Sequence, residues 1–96
     1  MNFDWDERKN KENIRKHSFD FADAWEVFEN PMLADLDASD RIEERIRAIG
    51  FLRQRLVVNI FAEREDDTTR IISLRKALKH EGKRFEEFLR NELGEN

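Results

Sequence analysis

The apolar residues change their spacing at Asn30-Pro31, and no other feature limits the possible folds of this chain so strongly. Before that point Phe21, Trp25 and Phe28 recur at i, i+4 and i+7, which is one face of a helix. After it the period falls to two in four short runs: Leu33 to Leu36, Ile42 to Ile49, Leu56 to Ala62 and Thr69 to Leu74. A period of two sends alternate side chains to opposite faces of a strand, so the runs predict four strands. The polar links Gly50 to Gln54 and Glu65 to Thr68 have hairpin length, and strands joined in this way pair antiparallel as a meander. Pro31 ends the preceding helix because it has no N–H to donate and pushes Asn30 out of the helical region.

The flanks read as helices. Phe3 and Trp5 alternate with Asp4 and Asp6, which predicts a short opening strand or extended arm. Asp6 then caps a helix to about His17, with Ile14 as its apolar residue and Arg8, Lys11 and Arg15 along one stripe. Asp20 caps the second helix, whose face of Phe21, Ala24, Trp25 and Phe28 is expected in the core. The last helix is expected from about Ala77 to Leu93, with Leu78, Phe85, Phe88 and Leu89 on one side and Gly94 at the C′ position. The pattern predicts an α+β fold of two N-terminal helices, a four-stranded antiparallel β-meander and a C-terminal helix. With 96 residues it forms a single domain over 1–96, since the chain is too short to divide between two cores.

Charged residues make up 42% of the chain, and they are segregated. Residues 20–44 hold one basic side chain against nine acidic ones, whereas residues 45–84 hold eleven Lys and Arg against five acids. A net charge of −4 therefore conceals a basic segment of +6 that suits RNA or an acidic partner. The absence of Cys removes disulfides and thiol chemistry. No apolar run approaches the roughly 20 residues that span a bilayer, and the polar start is not a secretory signal, so a cytoplasmic location is expected.

The densest basic cluster comprises Arg64, Arg70, Arg75, Lys76, Lys79, His80, Lys83 and Arg84, which joins two strands to the last helix. Arg forks onto phosphate oxygens and Lys adds point charge, but a solvated charged face or a dock for an acidic protein has the same composition. His17 and His80 are the only histidines and would have to meet in space to act as an acid–base pair. At the end of its helix His17 suits a capping role, and His80 lies on the exposed side of its own. Neither belongs to a metal-ligand motif, and no cofactor is called for. Glu81 projects between Leu78 and Phe85 on the apolar side of the last helix, where a carboxylate needs a partner. Either it pairs with an Arg of the sheet and positions the helix, or it orients a catalytic Arg.

Several stretches together resemble the BrnT toxins of bacterial type II toxin–antitoxin modules. They are Phe3-Asp4-Trp5-Asp6 with Lys9, Asn13 and Lys16-His17; Phe28 with Asn30-Pro31; Arg55-Leu56-Val57-Val58 with Glu63-Arg64; and Arg70-Ile71-Ile72-Ser73-Leu74-Arg75-Lys76-Ala77 followed by Glu81 and Phe85. The chain departs from the family where Ser18 replaces the usual Gly, Leu74 the usual Ala and Phe85 the usual Tyr. The resemblance implies a RelE-like fold and a metal-independent endoribonuclease that inhibits translation, in which the 2′-OH attacks its neighbouring phosphate while basic side chains stabilise the charge. On that basis Arg64, Arg75 and Lys76 grip the scissile phosphate, Glu81 and His17 support them, and Arg70, Lys79, His80, Lys83 and Arg84 bind RNA. It implies as partner a cognate, BrnA-like DNA-binding antitoxin, with operator DNA reached only through it, and a homodimer or a toxin–antitoxin hetero-oligomer. An alternative is a catalytically degenerate toxin that docks the antitoxin as a transcriptional co-repressor. A third is a metal-dependent nuclease using the acids between Asp35 and Glu44.

Overall fold

A computed structural model describes residues 1–38 and 42–94. Four strands follow Pro31: β2 (Met32–Asp37), β3 (Arg45–Leu52), β4 (Arg55–Arg64) and β5 (Thr68–Lys76). They pair antiparallel in sequence order, as the alternation predicts. The opening segment is a fifth strand, β1 (Asn2–Trp5), which runs parallel to the far edge of β5. The sheet is therefore mixed, in the order β1-β5-β4-β3-β2, and the expected four-stranded antiparallel sheet is corrected by that one strand. A parallel neighbour needs a long crossover, and the helical segment and the meander between β1 and β5 supply it.

The helices are α1 (Glu7–His17), the single-turn α2 (Trp25–Phe28) and α3 (Lys79–Glu92). Asp6 caps α1 by accepting from the Arg8 and Lys9 N–H groups. The expected second helix is divided into a 3₁₀ turn, Phe21–Asp23, which Asp20 caps through the Ala22 N–H, and the four-residue α2. That geometry overturns one expectation. Three residues per turn carry the buried face through Phe21, Ala24 and Val27, so Trp25 rotates outward and is 48% exposed.

The two faces of the sheet have separate cores. On one, Ala48, Leu52, Val57, Phe61, Ile71 and Leu74 pack beneath Phe19, Phe21, Ala24 and Val27. On the other, Ile49 and Val58 meet Phe85 of α3, flanked by Leu33, Leu56, Phe88 and Leu89. Gly50, expected in a hairpin loop, lies inside β3, where a Cβ would stand 3.1 Å from Val27 Cγ1 and 3.2 Å from Met32 Cβ. The turn falls instead at Arg53-Gln54, with Arg53 at φ 59°. The Ile42 strand start is also corrected, since β3 begins at Arg45.

Helix α1 is held by amides rather than by Ile14, which is exposed. Asn13 Nδ2 donates to the carbonyls of Phe19 and Leu74 at 3.0 and 2.8 Å, and its Oδ1 accepts from the Leu74 N–H at 3.3 Å. The β1 pairing ends at Ile71, so the Asn13 amide satisfies edge groups of β5 that no strand reaches. Asn10 likewise donates to Asp20 and accepts from the Phe21 N–H.

Candidate functional site

Most arginines of the basic segment are already occupied. Arg84 pairs with Asp35 at 2.8 Å, Arg70 with Asp4 at 3.3 Å, Arg64 with Glu43 at 2.6 Å, and Arg53 with Asp23 and Glu26. The acids of residues 20–44 thus neutralise much of the positive charge that follows them, and the +6 segment is not a uniformly basic face.

Arg75 and Glu81 form a forked pair that is largely buried. Arg75 Nη1 and Nη2 donate to the two carboxylate oxygens at 2.8 and 2.9 Å, and the Leu78 N–H donates to Oε1 at 2.7 Å. Glu81 is 5% exposed. The Arg75 guanidinium holds its carboxyl down to about 2, against the opposing effect of burial. The expectation of an ion pair that positions the last helix is met: the pair ties the first turn of α3 to the end of β5, and both terminal nitrogens of Arg75 are used in doing so.

Strand register separates residues that adjoin in sequence. Arg75 stands opposite Val58, on the α3 face, whereas Lys76 stands opposite Val57, on the α1 face. Arg64 stands opposite Thr68, seven residues along β4 from Val57. At about 3.3 Å per residue it lies roughly 23 Å from the Lys76 end, so one phosphate cannot be gripped by Arg64 and Lys76 together, and Arg64 is removed from that group. His80, Lys83 and Arg84 are exposed on α3, and Arg70 lies on β5 beside β1. The acids proposed for metal binding do not gather: among the described residues no cluster of three or more His, Cys, Asp or Glu side chains has metal-site geometry, and Asp40 lies outside those residues.

At the Lys76 end of the sheet an open cleft of about 670 Å³ joins three segments. His17, Ser18 and Phe19 come from the end of α1, Gln54, Arg55 and Leu56 from the β3–β4 turn, and Lys76 to Lys79 with Gly82 from the junction into α3. Its ionisable lining is His17, Arg55, Lys76 and Lys79, with no carboxylate. The Arg55 guanidinium carbon lies 5.8 Å from the centroid of the Phe19 ring, a cation–π contact that fixes its side. None of these four side chains has an ion pair among the described residues. The first turn of α3 adds backbone N–H groups at the positive end of its dipole. Such a cleft suits an anion carrying several oxygens.

Sequence reasoning singled out His17, Lys76 and Lys79 of this lining and missed Arg55 as a site residue. The signal available was its place beside a tight turn, away from any acid in sequence. Ser18 explains one departure from the family, since it ends α1 at φ 62°, a left-handed conformation that glycine adopts without cost. Phe85, 2% exposed, is packed edge-on against Phe51 and belongs to the core.

The family model described as "Ribonuclease toxin, BrnT, of type II toxin-antitoxin system" matches residues 5–81. The chain belongs to the BrnT family. A solved BrnT structure supports the assignment: the ribonuclease toxin of Brucella abortus, determined at 1.1 Å, is 32% identical with a TM-score of 0.65, over 82% of this chain and 99% of that one. No curated protein matches. As a member of the BrnT family the chain is a ribonuclease toxin of a type II module, which implies an antitoxin partner. The matched span runs from Trp5, the last residue of β1, through β5 to Glu81, so His17, Arg55, Lys76 and Lys79 and the Arg75–Glu81 pair lie within it.

Proposed function

We propose that the cleft of His17, Arg55, Lys76 and Lys79 binds the RNA backbone and that this chain is a metal-independent endoribonuclease that arrests translation in the cytoplasm. The observation that carries the reading is a cleft lined by Arg55, Lys76, Lys79 and His17 and by no acid, in a chain whose other arginines are largely ion-paired among the described residues. In the reaction the 2′-oxygen attacks the adjacent phosphorus and the bond from phosphorus to the 5′-oxygen breaks. The products are a 2′,3′-cyclic phosphate and a free 5′-hydroxyl. Arg55, Lys76 and Lys79 stabilise charge on the phosphoryl oxygens. The His17 imidazole, which both accepts and donates protons, takes the 2′-OH proton or delivers one to the leaving oxygen. Arg75 and Glu81 act by positioning the start of α3. The frame is read as RelE-like, and the partner as a BrnA-like DNA-binding antitoxin that joins the chain in a hetero-oligomer.

A second reading, the degenerate toxin that serves as co-repressor, is favoured by one observation: both terminal nitrogens of Arg75 are spent on Glu81. Purified chain incubated with RNA decides between them. Cleavage that falls at least 100-fold in Arg55→Ala/Lys76→Ala, with the melting temperature and antitoxin binding retained, is the expected result. An inactive wild-type chain that still binds the antitoxin would leave the co-repressor reading standing.

A further inference from the structure

A second depression, an apolar groove of about 390 Å³, runs beside α3 and shares Leu56, Lys79 and Gly82 with the cationic cleft. Its floor includes Phe51, Leu56 and Leu89, and its rim carries Lys79, Lys83 and Glu86. Three observations point to a ligand. Phe51 keeps about a third of its surface exposed although its ring is held edge-on against Phe85, 5.4 Å between centroids. Lys79 and Lys83 sit one helical turn apart, and neither has an ion pair among the described residues. Gly82 stands inside the helix where packing does not demand it, because an added Cβ would meet only Leu56 Cδ2, at an ordinary 3.7 Å. Glycine weakens a helix interior, and one use of its missing side chain is to let a ligand approach the backbone.

We propose that this groove is a second nucleotide subsite, in which the nucleotide next to the one held in the cleft lays its base on Phe51 and Leu56 across Gly82 and sets its phosphate on Lys83. The inference rests on the reading of the cleft as an RNA site. A polymer alternating an anionic phosphate with an apolar ring matches the alternation of lysine rim and aromatic floor, and the passage at Gly82 joins the two depressions. An apolar protein segment would use the floor but would gain little from two lysines one turn apart.

The test titrates the full chain, by amide chemical shifts, with 2′-O-methyl RNA, which lacks the attacking hydroxyl. A trinucleotide and a hexanucleotide are compared. The wild-type chain should bind the hexanucleotide at least tenfold more tightly than the trinucleotide. Phe51→Ala should reduce that ratio at least fivefold, toward one, the loss expected when one stacked base is given up. Lys83→Glu, which changes only an exposed side chain, should reduce it with the melting temperature unchanged and should also lower the salt dependence of hexanucleotide binding. If both variants keep the wild-type ratio while the trinucleotide still shifts cleft amides, the subsite is refuted and the cleft stands. If neither probe shifts the cleft, both readings fall. If the variants lose affinity for the cognate antitoxin with the RNA ratio intact, the groove is a protein dock and the proposal is overturned.

Discussion

Replacing Glu81 by Gln isolates the contact that ties α3 to the sheet. The side chain keeps its shape, but the charge is lost and an amide N–H₂ faces the Arg75 guanidinium, so one of the two forked bonds cannot form. In the wild-type chain the carboxyl is lowered from 4.5 to about 2, chiefly by Arg75, which corresponds to roughly 3 kcal/mol of stability. The raised pKa of Arg75 is the same interaction seen from its partner and is not added. The sign follows from the depressed value: the contribution is complete above about pH 4.5 and is lost as the pH falls toward 2. Glu81→Gln should therefore cost about 2–3 kcal/mol at pH 7, or roughly 10–20 °C in melting temperature for a domain of this size. Its deficit against wild type should shrink by roughly 1 kcal/mol per pH unit between 4.5 and 2, since the other carboxylates are common to both proteins and cancel. Urea unfolding followed by tryptophan fluorescence at a series of pH values measures this difference. A deficit under about 0.5 kcal/mol at pH 7, or one that stays constant down to pH 2.5, would refute the assignment of the pair as the anchor of the helix.

Three further outcomes are expected. Asn59 is fully buried in β4 with neither amide atom hydrogen-bonded, so Asn59→Leu should raise stability by about 1–3 kcal/mol in chemical denaturation. Ser18→Gly should add roughly 1 kcal/mol by relieving the left-handed backbone at the end of α1, and Ser18→Val should cost at least as much, both measured as shifts in the urea midpoint. Asn13→Ala removes three buried hydrogen bonds and leaves groups of Phe19 and Leu74 unpaired, a loss of about 3 kcal/mol. Amide exchange should then show α1 opening before the sheet.

The elements that local spacing specifies were readable. The meander follows from the period of two and the short polar links, the start of α1 from Asp6, its end from the charged run to His17, and the end of α3 from Gly94, which is found at φ 74°. The parallel pairing of β1 was not readable, because four residues of alternation specify a strand but not the neighbour it joins. The outward turn of Trp25 was missed because a 3₁₀ segment and an α-helix place the same residues on different faces. Asn10 and Asn13 read as ordinary polar helix residues, since a buried amide is recognised only by the backbone groups it meets. Part of the site was legible as chemistry without geography: His17, Lys76 and Lys79 stood out, but so did Arg64, at the other end of the sheet.

The sequence by itself determined which segments are broadly helix and which are strand, and that a basic stretch follows an acidic one. Each of these depends on interactions among residues a few positions apart. Only the tertiary structure decided which cations remain free. Arg64, Arg70, Arg75 and Arg84 are matched to carboxylates by strand register and helix docking, over separations as large as that between Asp35 and Arg84. His17, Arg55, Lys76 and Lys79 converge because the end of α1, the β3–β4 turn and the start of α3 meet at the same end of the sheet. A charge acts through space, so its partner is fixed by folding rather than by its neighbours in the chain.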